Sequence, residues 1–349
     1  MGLHGLKIGL VGPVPPPSGG MAGQTLQFAE LLAQEGADVT LVPVNAPYRP
    51  RWVKQIRVIR AISRLTFYGG LLWRVAGRVQ IMHIMANSGW SWHLFAAPAI
   101  WMAKLRGTPT VVNYRGGEAD SFLARSGRAV APTLRRATVL VVPSAYLQQI
   151  FDRRGLPSAI VPNIIDTRRF RAAESGQRSR FPCLVVARNL ETIYDIPTAL
   201  RAFALVSQTA RDARLVVAGS GPQEQALKAL TAELGIAQQV DFRGQLDRDQ
   251  MAALYRSASI VLNPSLVDNM PNSVLEAMAS GVPVVSTDVG GIPFILRDGV
   301  TGLLVCARDD KAMAAAARRL LSDPELAARL SSAGLVEVQK YTWPRVRAQ

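Results

Sequence analysis

Short apolar runs alternate with longer amphipathic stretches along this chain. Lys7–Val11, Asp38–Val44, Val79–Ile84, Thr108–Tyr114, Val139–Pro143 and Ala159–Pro162 read as strands. Each is followed by a turn and, in most cases, by residues of helical period. A second series opens at Cys183–Ala187 and continues through Arg214–Ala218, Val240–Phe242, Ile260–Leu262, Val284-Val285 and a closing strand ending at Val305. Two helices, near Asp309–Leu321 and Pro324–Lys340, finish it. Strands alternating with helices predict parallel, doubly wound sheets. Between the two series, Thr167–Arg180 is polar and has no apolar period, so it reads as a linker. The domains expected are 1–166, 181–340 and a terminal segment, 341–349.

The densest pattern is Ser265–Val285, SLVDNMPNSVLEAMASGVPVV. Pro271 suits a first helical position, where no backbone N–H is needed. Val274, Leu275 and Met278 share a helical face, and Gly281-Val282-Pro283 ends the helix. Asp268 then lies in the preceding loop and Glu276 about a turn and a half inside. A helix start offers N–H groups and a positive dipole end to an anion such as a diphosphate. Two flanking carboxylates accept hydrogen bonds from hydroxyls. A phosphate centre with a sugar at each end describes a nucleotide-sugar.

The chain has 349 residues, enough for two α/β domains. No uncharged apolar run is long enough for a membrane span. The start, with Lys7-Ile-Gly-Leu-Val, reads as a first strand rather than a signal peptide. Two cysteines, Cys183 and Cys306, imply neither a disulfide framework nor a zinc site and fit a reducing cytosol. Charge changes the picture more. Of the net +15, residues 1–165 hold 18 Lys/Arg against 6 Asp/Glu, and no acid occurs from Val39 to Gly117. A basic face of this kind seeks nucleic acid, anionic lipid or an anionic substrate. Nucleic acid is disfavoured, because aromatic and basic residues are little interleaved. Arg51–Phe67 places Trp52, Ile56, Ile59, Ile62 and Leu65 on one side of a helix and Lys54, Arg57, Arg60 and Arg64 on the other. It is either a surface helix packed on its own domain or a membrane-surface helix. Roughly 1 kcal/mol per basic residue near an anionic leaflet suffices for peripheral attachment.

The Ser265–Val285 string resembles the donor-binding motif of retaining glycosyltransferases of family 4: a carboxylate, seven residues, Glu, then Ala-Met-Ala-x-Gly-x-Pro-Val. Asp268 stands where many members carry Glu. The resemblance spans nearly the whole chain and is strongest from Cys183 to Val305. It implies a GT-B fold, two Rossmann-like doubly wound parallel-sheet domains facing a cleft, with the first on the acceptor side and the second binding a nucleotide-sugar. It further implies that 341–349 returns toward the first domain. The implied reaction moves a sugar from nucleotide-sugar to acceptor hydroxyl with retention, as a hexosyltransferase would in making cell-envelope or exopolysaccharide glycans. The acceptor would be a glycan or lipid-linked molecule, and the place of action the cytoplasm, peripheral on the inner face of the membrane. No metal or cofactor is expected, the nucleotide-sugar being a co-substrate.

Residue by residue, the resemblance assigns Arg188, Asp268 and Glu276 to catalysis. Arg188 faces the leaving diphosphate, Asp268 the hydroxyls of the transferred sugar and Glu276 those of the ribose. Gly19 and Gly20, in the Gly-rich loop after the first strand, meet donor phosphate. Gly219, Arg243, Asn269, Met270 and Pro271 complete the donor site, and the amides of 269–271 stabilise the charge. The chain also departs from the family. The usual His-Gly after the fourth strand is Arg115-Gly116, a second basic position falls on Ile193, and Phe294 replaces a Glu after Gly290-Gly291. His83 and Arg115 are assigned to the acceptor side. The rivals are another GT-B enzyme, such as a nucleotide-sugar epimerase, and a non-catalytic module binding nucleotide-sugar or an anionic polymer.

Overall fold

The computed structural model describes residues 3–16, 20–46, 57–174, 179 and 181–349, the side chains of 57–62 excepted. The chain divides into two compact units, 1–162 and 163–349.

In the first unit, β1 (Lys7–Gly12), β2 (Asp38–Pro43), β3 (Ile81–Ala86), β4 (Thr110–Tyr114), β5 (Val139–Val142) and β6 (Ala159–Ile160) form a parallel sheet in the order β2-β1-β3-β4-β5-β6. The helices are α1 (Gly20–Gln34), α2 (Arg57–Ala76), α3 (Ala97–Leu105), α4 (Ala119–Leu134) and α5 (Ala145–Asp152). Alternation along β3 feeds both faces: Met82, Ile84 and Ala86 join the core with Leu72, Val112 and Phe151, while Met85 packs with Leu10 and Ala29. The Ser144 hydroxyl accepts from the Leu147 N–H and caps α5. Of the helix expected over Arg51–Phe67, the part from Arg57 is observed in α2, which runs on to Ala76; residues 51–56 lie outside the described ones. In α2, Tyr68, Leu72, Val75 and Ala76 are buried. That end of the helix therefore packs on its own domain.

In the second unit, β7 (Cys183–Ala187), β8 (Arg214–Ala218), β9 (Val240–Gly244), β10 (Ile260–Asn263), β11 (Val284–Thr287) and β12 (Leu303–Val305) form a parallel sheet ordered β12-β11-β10-β7-β8-β9. Around it lie α6 (Ile196–Thr209), α7 (Glu224–Glu233), α8 (Arg248–Ser257), α9 (Asn272–Ala279), α10 (Asp310–Ser322) and α11 (Pro324–Val338). Their strands are near-continuous Val/Ile/Leu because both faces are covered. Val185, Val216 and Val261 enter one core with α9, and Leu184, Leu215 and Leu262 the other with α6 and α10.

The boundary falls four residues earlier than the sequence predicts. Asn163 bonds to Met270 and Asn272, Ile165 pairs with Thr342, and Phe170 is buried in the second unit's core. Within the expected linker, Phe170 is thus core. Among the described residues, no helix is long and apolar enough to cross a membrane.

Candidate functional site

The order of the second sheet reverses between β7 and β10. The carboxyl ends of the strands at such a reversal are where doubly wound sheets take their ligands. Arg188 leaves the end of β7, and Asn263 ends β10. The Arg188 Nε donates to Asn263 Oδ1 at 2.8 Å, and its terminal nitrogen pairs with the Asp268 carboxylate. The guanidinium also lies over the Tyr194 ring, 4.9 Å from its centroid. Both charged side chains are mostly buried, at 11% and 12% exposure. Arginine carries five N–H donors, so these bonds leave others to meet a ligand.

Asp268 is held as firmly. Its Oδ2 accepts from Ser265 Oγ at 3.2 Å and its Oδ1 from the Asn269 N–H at 2.9 Å. The single Ser265 proton is shared between Asp268 and Asn263 Oδ1, and Asn263 Nδ2 donates to Ser286 Oγ, which ties the loop to β10 and β11. Behind it, the Gly291 N–H donates to the Asp268 carbonyl at 2.9 Å. A Cβ on Gly290 or Gly291 would collide with the carbonyl oxygen of Asp268 or Asn269. Glycine is required there by close approach of two backbones.

Two details of the sequence reading change. Pro271 is the N-cap of α9 and Asn272 its first helical residue. The amides assigned to 269–271 are also fewer than expected: Pro271 has no N–H, and that of Asn269 is given to Asp268. Asn163 steadies this helix start through Nδ2, which donates to the Met270 carbonyl and Asn272 Oδ1, both at 2.8 Å.

Glu276 lies one turn inside α9 and is partly buried. Burial pushes its carboxyl up to about 7, opposed by Arg248, by the hydrogen bond from Tyr255 and by Arg188. The Tyr255 hydroxyl donates to Glu276 Oε2 at 3.4 Å.

The remaining donor-side predictions separate. Gly219 follows β8 with φ 147°, and a Cβ would strike the Arg188 carbonyl oxygen. It shapes the turn that carries Arg188. Arg243 is exposed on edge strand β9, paired with Asp241 at 2.8 Å and near Cys183. Among the described residues, its ion pair is with Asp241 and none joins it to Arg188. Gly19 lies outside the described residues, and Gly20 is the first residue of α1.

In the first unit, His83 and Arg115 are brought together through Asn113. Arg115 Nε donates to Asn113 Oδ1 at 3.1 Å, and Asn113 Nδ2 faces His83 Nε2 at 3.4 Å. Burial, then the charge of Arg115, lowers the His83 pKa to about 3, so it is neutral at physiological pH. Sequence reasoning missed Asn113, Asn163, Ser265, Tyr255 and the stacking of Tyr194. These residues are ordinary polar or aromatic types, and only their contacts mark them. Among the described residues, no group of three or more His, Cys, Asp or Glu is placed to hold a metal ion.

A parallel sheet whose order reverses, with a mostly buried arginine and a helix start at the reversal, defines a doubly wound α/β domain. Residues 168–335 match the family described as Glycosyl transferases group 1, and residues 19–163 match Glycosyl transferase 4-like domain. The two models match one after the other along the chain, so each of its two units resembles a glycosyltransferase domain. It is 27% identical to phosphatidyl-myo-inositol mannosyltransferase of Mycobacterium leprae over 99% of this chain and 95% of that one. A D-inositol 3-phosphate glycosyltransferase of Streptomyces griseus is 37% identical, but the match covers 36% of this chain and 27% of that relative. Among solved structures, Anabaena Alr3699/HepE in complex with UDP and glucose has a TM-score of 0.75 at 17% identity, covering 99% of this chain and 98% of that one. Sucrose-phosphate synthase from Thermosynechococcus elongatus has a TM-score of 0.73 at 21% identity, covering 99% and 97%. These likenesses give the fold, GT-B, with its two Rossmann-like units.

Proposed function

We propose that this protein transfers a hexosyl group from a nucleotide-sugar to an acceptor hydroxyl, with retention at the anomeric carbon. One observation carries the reading: Arg188 is anchored by Asp268 and Asn263 at the switch point, just ahead of α9 and Glu276. Breaking the glycosyl–phosphate bond builds negative charge on the diphosphate. A fixed arginine and a helix start stabilise that charge without reorganising. Glu276 accepts from the ribose hydroxyls. Asp268 Oδ1, which accepts from the Asn269 N–H, keeps a second lone pair and accepts from the transferred sugar. The leaving phosphate oxygen takes the acceptor proton, so no further base is assigned. UDP is the first nucleotide to try, since it is named with the Anabaena structure. The acceptor is a glycan or lipid-linked molecule of the cell envelope or an exopolysaccharide, and the protein works in the cytoplasm at the inner membrane face.

The test is a panel of nucleotide-sugars scored for nucleotide release with and without candidate acceptors, followed by NMR of the product anomer. Release from one donor, with the configuration kept, supports the proposal. A donor that binds without releasing nucleotide under any condition makes the chain a binding module. An inverted product removes the retaining assignment.

A further inference from the structure

We propose that Arg115 forms an anion subsite in the first unit, which selects an acceptor carrying a phosphate or carboxylate group. The order of that sheet reverses between β1 and β3, and Arg115 follows β4, one strand further on. Its backbone is pinned: the Arg115 N–H donates to the Ala86 carbonyl at 2.9 Å, and a Cβ on Gly116 would collide with Ser88 Oγ. Ser88 is itself bonded to the Tyr114 hydroxyl at 2.8 Å. The side chain is aimed by the Asn113 amide, whose orientation is set at its other end by neutral His83. His83 in turn packs against Phe28, the rings tilted by 54° with centroids 4.7 Å apart.

The chain therefore spends three side chains on orienting one guanidinium, yet supplies it no carboxylate. Among the described residues no acid lies within ion-pair distance of Arg115, and burial alone depresses its pKa, to about 10. From Val39 to Gly117 the sequence has no acid to offer. A partly buried cation without a counter-ion is costly, and a ligand anion relieves that cost with charge-assisted hydrogen bonds. The guanidinium fork suits the paired oxygens of phosphate or carboxylate. An acceptor anion seated here would hold its hydroxyl in a fixed place, so that Arg115 governs which acceptors react.

The acceptor role rests on the glycosyltransferase reading; the anion site does not, and the experiment separates the two. Inorganic phosphate and, separately, UDP are titrated calorimetrically into the full chain, into Arg115→Gln and into Arg188→Gln. Melting curves confirm that each variant is folded. The expected result is phosphate binding by the wild type that weakens about tenfold or more in Arg115→Gln and persists in Arg188→Gln. UDP affinity stays unchanged in Arg115→Gln. Arg115→Lys, which keeps the charge but loses the fork, falls between. The proposal is overturned if wild type binds no phosphate, if phosphate binding follows Arg188 alone, or if Arg115→Gln weakens UDP as well. The last outcome would make Arg115 a donor residue. A failed donor panel with a surviving phosphate site would instead overturn glycosyl transfer alone.

Discussion

Arg188 and Asp268, 80 positions apart in the chain, form a mostly buried ion pair across the switch point of the second sheet. Removing one partner of such a pair leaves the other charge uncompensated. Arg188→Gln is therefore expected to lower nucleotide release about 10²–10³-fold, the scale of a lost charge-stabilising donor. Steady-state kinetics on the donor found by the panel measures this. A rise in KM alone would mean that Arg188 binds the donor without helping the transition state.

Asp268→Asn keeps the shape of the loop but removes the counter-charge. Arg188 then loses its anchor while Asn263 still holds its Nε. The expected outcome is weaker transfer with nucleotide affinity kept or improved, because a free guanidinium is a better diphosphate ligand. Calorimetry with UDP beside turnover reads the two effects separately.

Glu276 gives a pH signature. Its folded pKa is raised from 4.5 to about 7, chiefly by burial, so the native protein binds more protons than the unfolded chain between those values. The stability it contributes is present below pH 4.5 and is lost as pH rises through 7. Glu276→Gln should melt with wild type at pH 4.5 and about 2–4 °C above it at pH 8. Scanning calorimetry at both values is the check. Hydroxyls donating to the carboxylate favour its charged form, so nucleotide binding at pH 7 should release up to about half a proton. Binding enthalpies that do not vary with buffer ionisation would remove the ribose assignment.

Gly291→Ala places a methyl group against the Asn269 carbonyl. The turn after β11 or the loop before α9 must then shift. A loss of about 1–3 kcal/mol in stability is expected, with nucleotide affinity falling more than for a surface Gly→Ala such as Gly23, where a Cβ meets open space.

Asn163→Ala removes both bonds to the start of α9, and about 1–3 kcal/mol of stability with them. Looser donor binding should follow, because the helix start is then less well fixed. Equal nucleotide affinity in Asn163→Ala and wild type would confine this residue to a structural role.

Much of this arrangement was readable beforehand. Runs such as Leu-Val-Val-Ala and Ile-Val-Leu-Asn betray two-faced burial by composition alone, and the string from Asp268 to Pro283 places a loop, helix and strand by period and punctuation. The end of α2 was less legible, since its apolar face continues past Phe67 through Leu72 and Val75. Arg243 has surroundings that only the fold shows. Its position in the chain matched the donor segment, yet strand β9 is an edge strand, and an arginine there pairs with Asp241 two residues away, on the same face.

The amino-acid sequence by itself determined the alternation of strands and helices, the helix start behind Asp268 and the acid-poor character of the first half, because each depends on local period or on composition. Tertiary structure alone decided which polar groups meet: Arg188 with Asp268, Asn163 with Met270, and Asn113 between His83 and Arg115. Those pairings come from strand order and crossover, which bring distant loops to one sheet edge. No local pattern of residues encodes that distance.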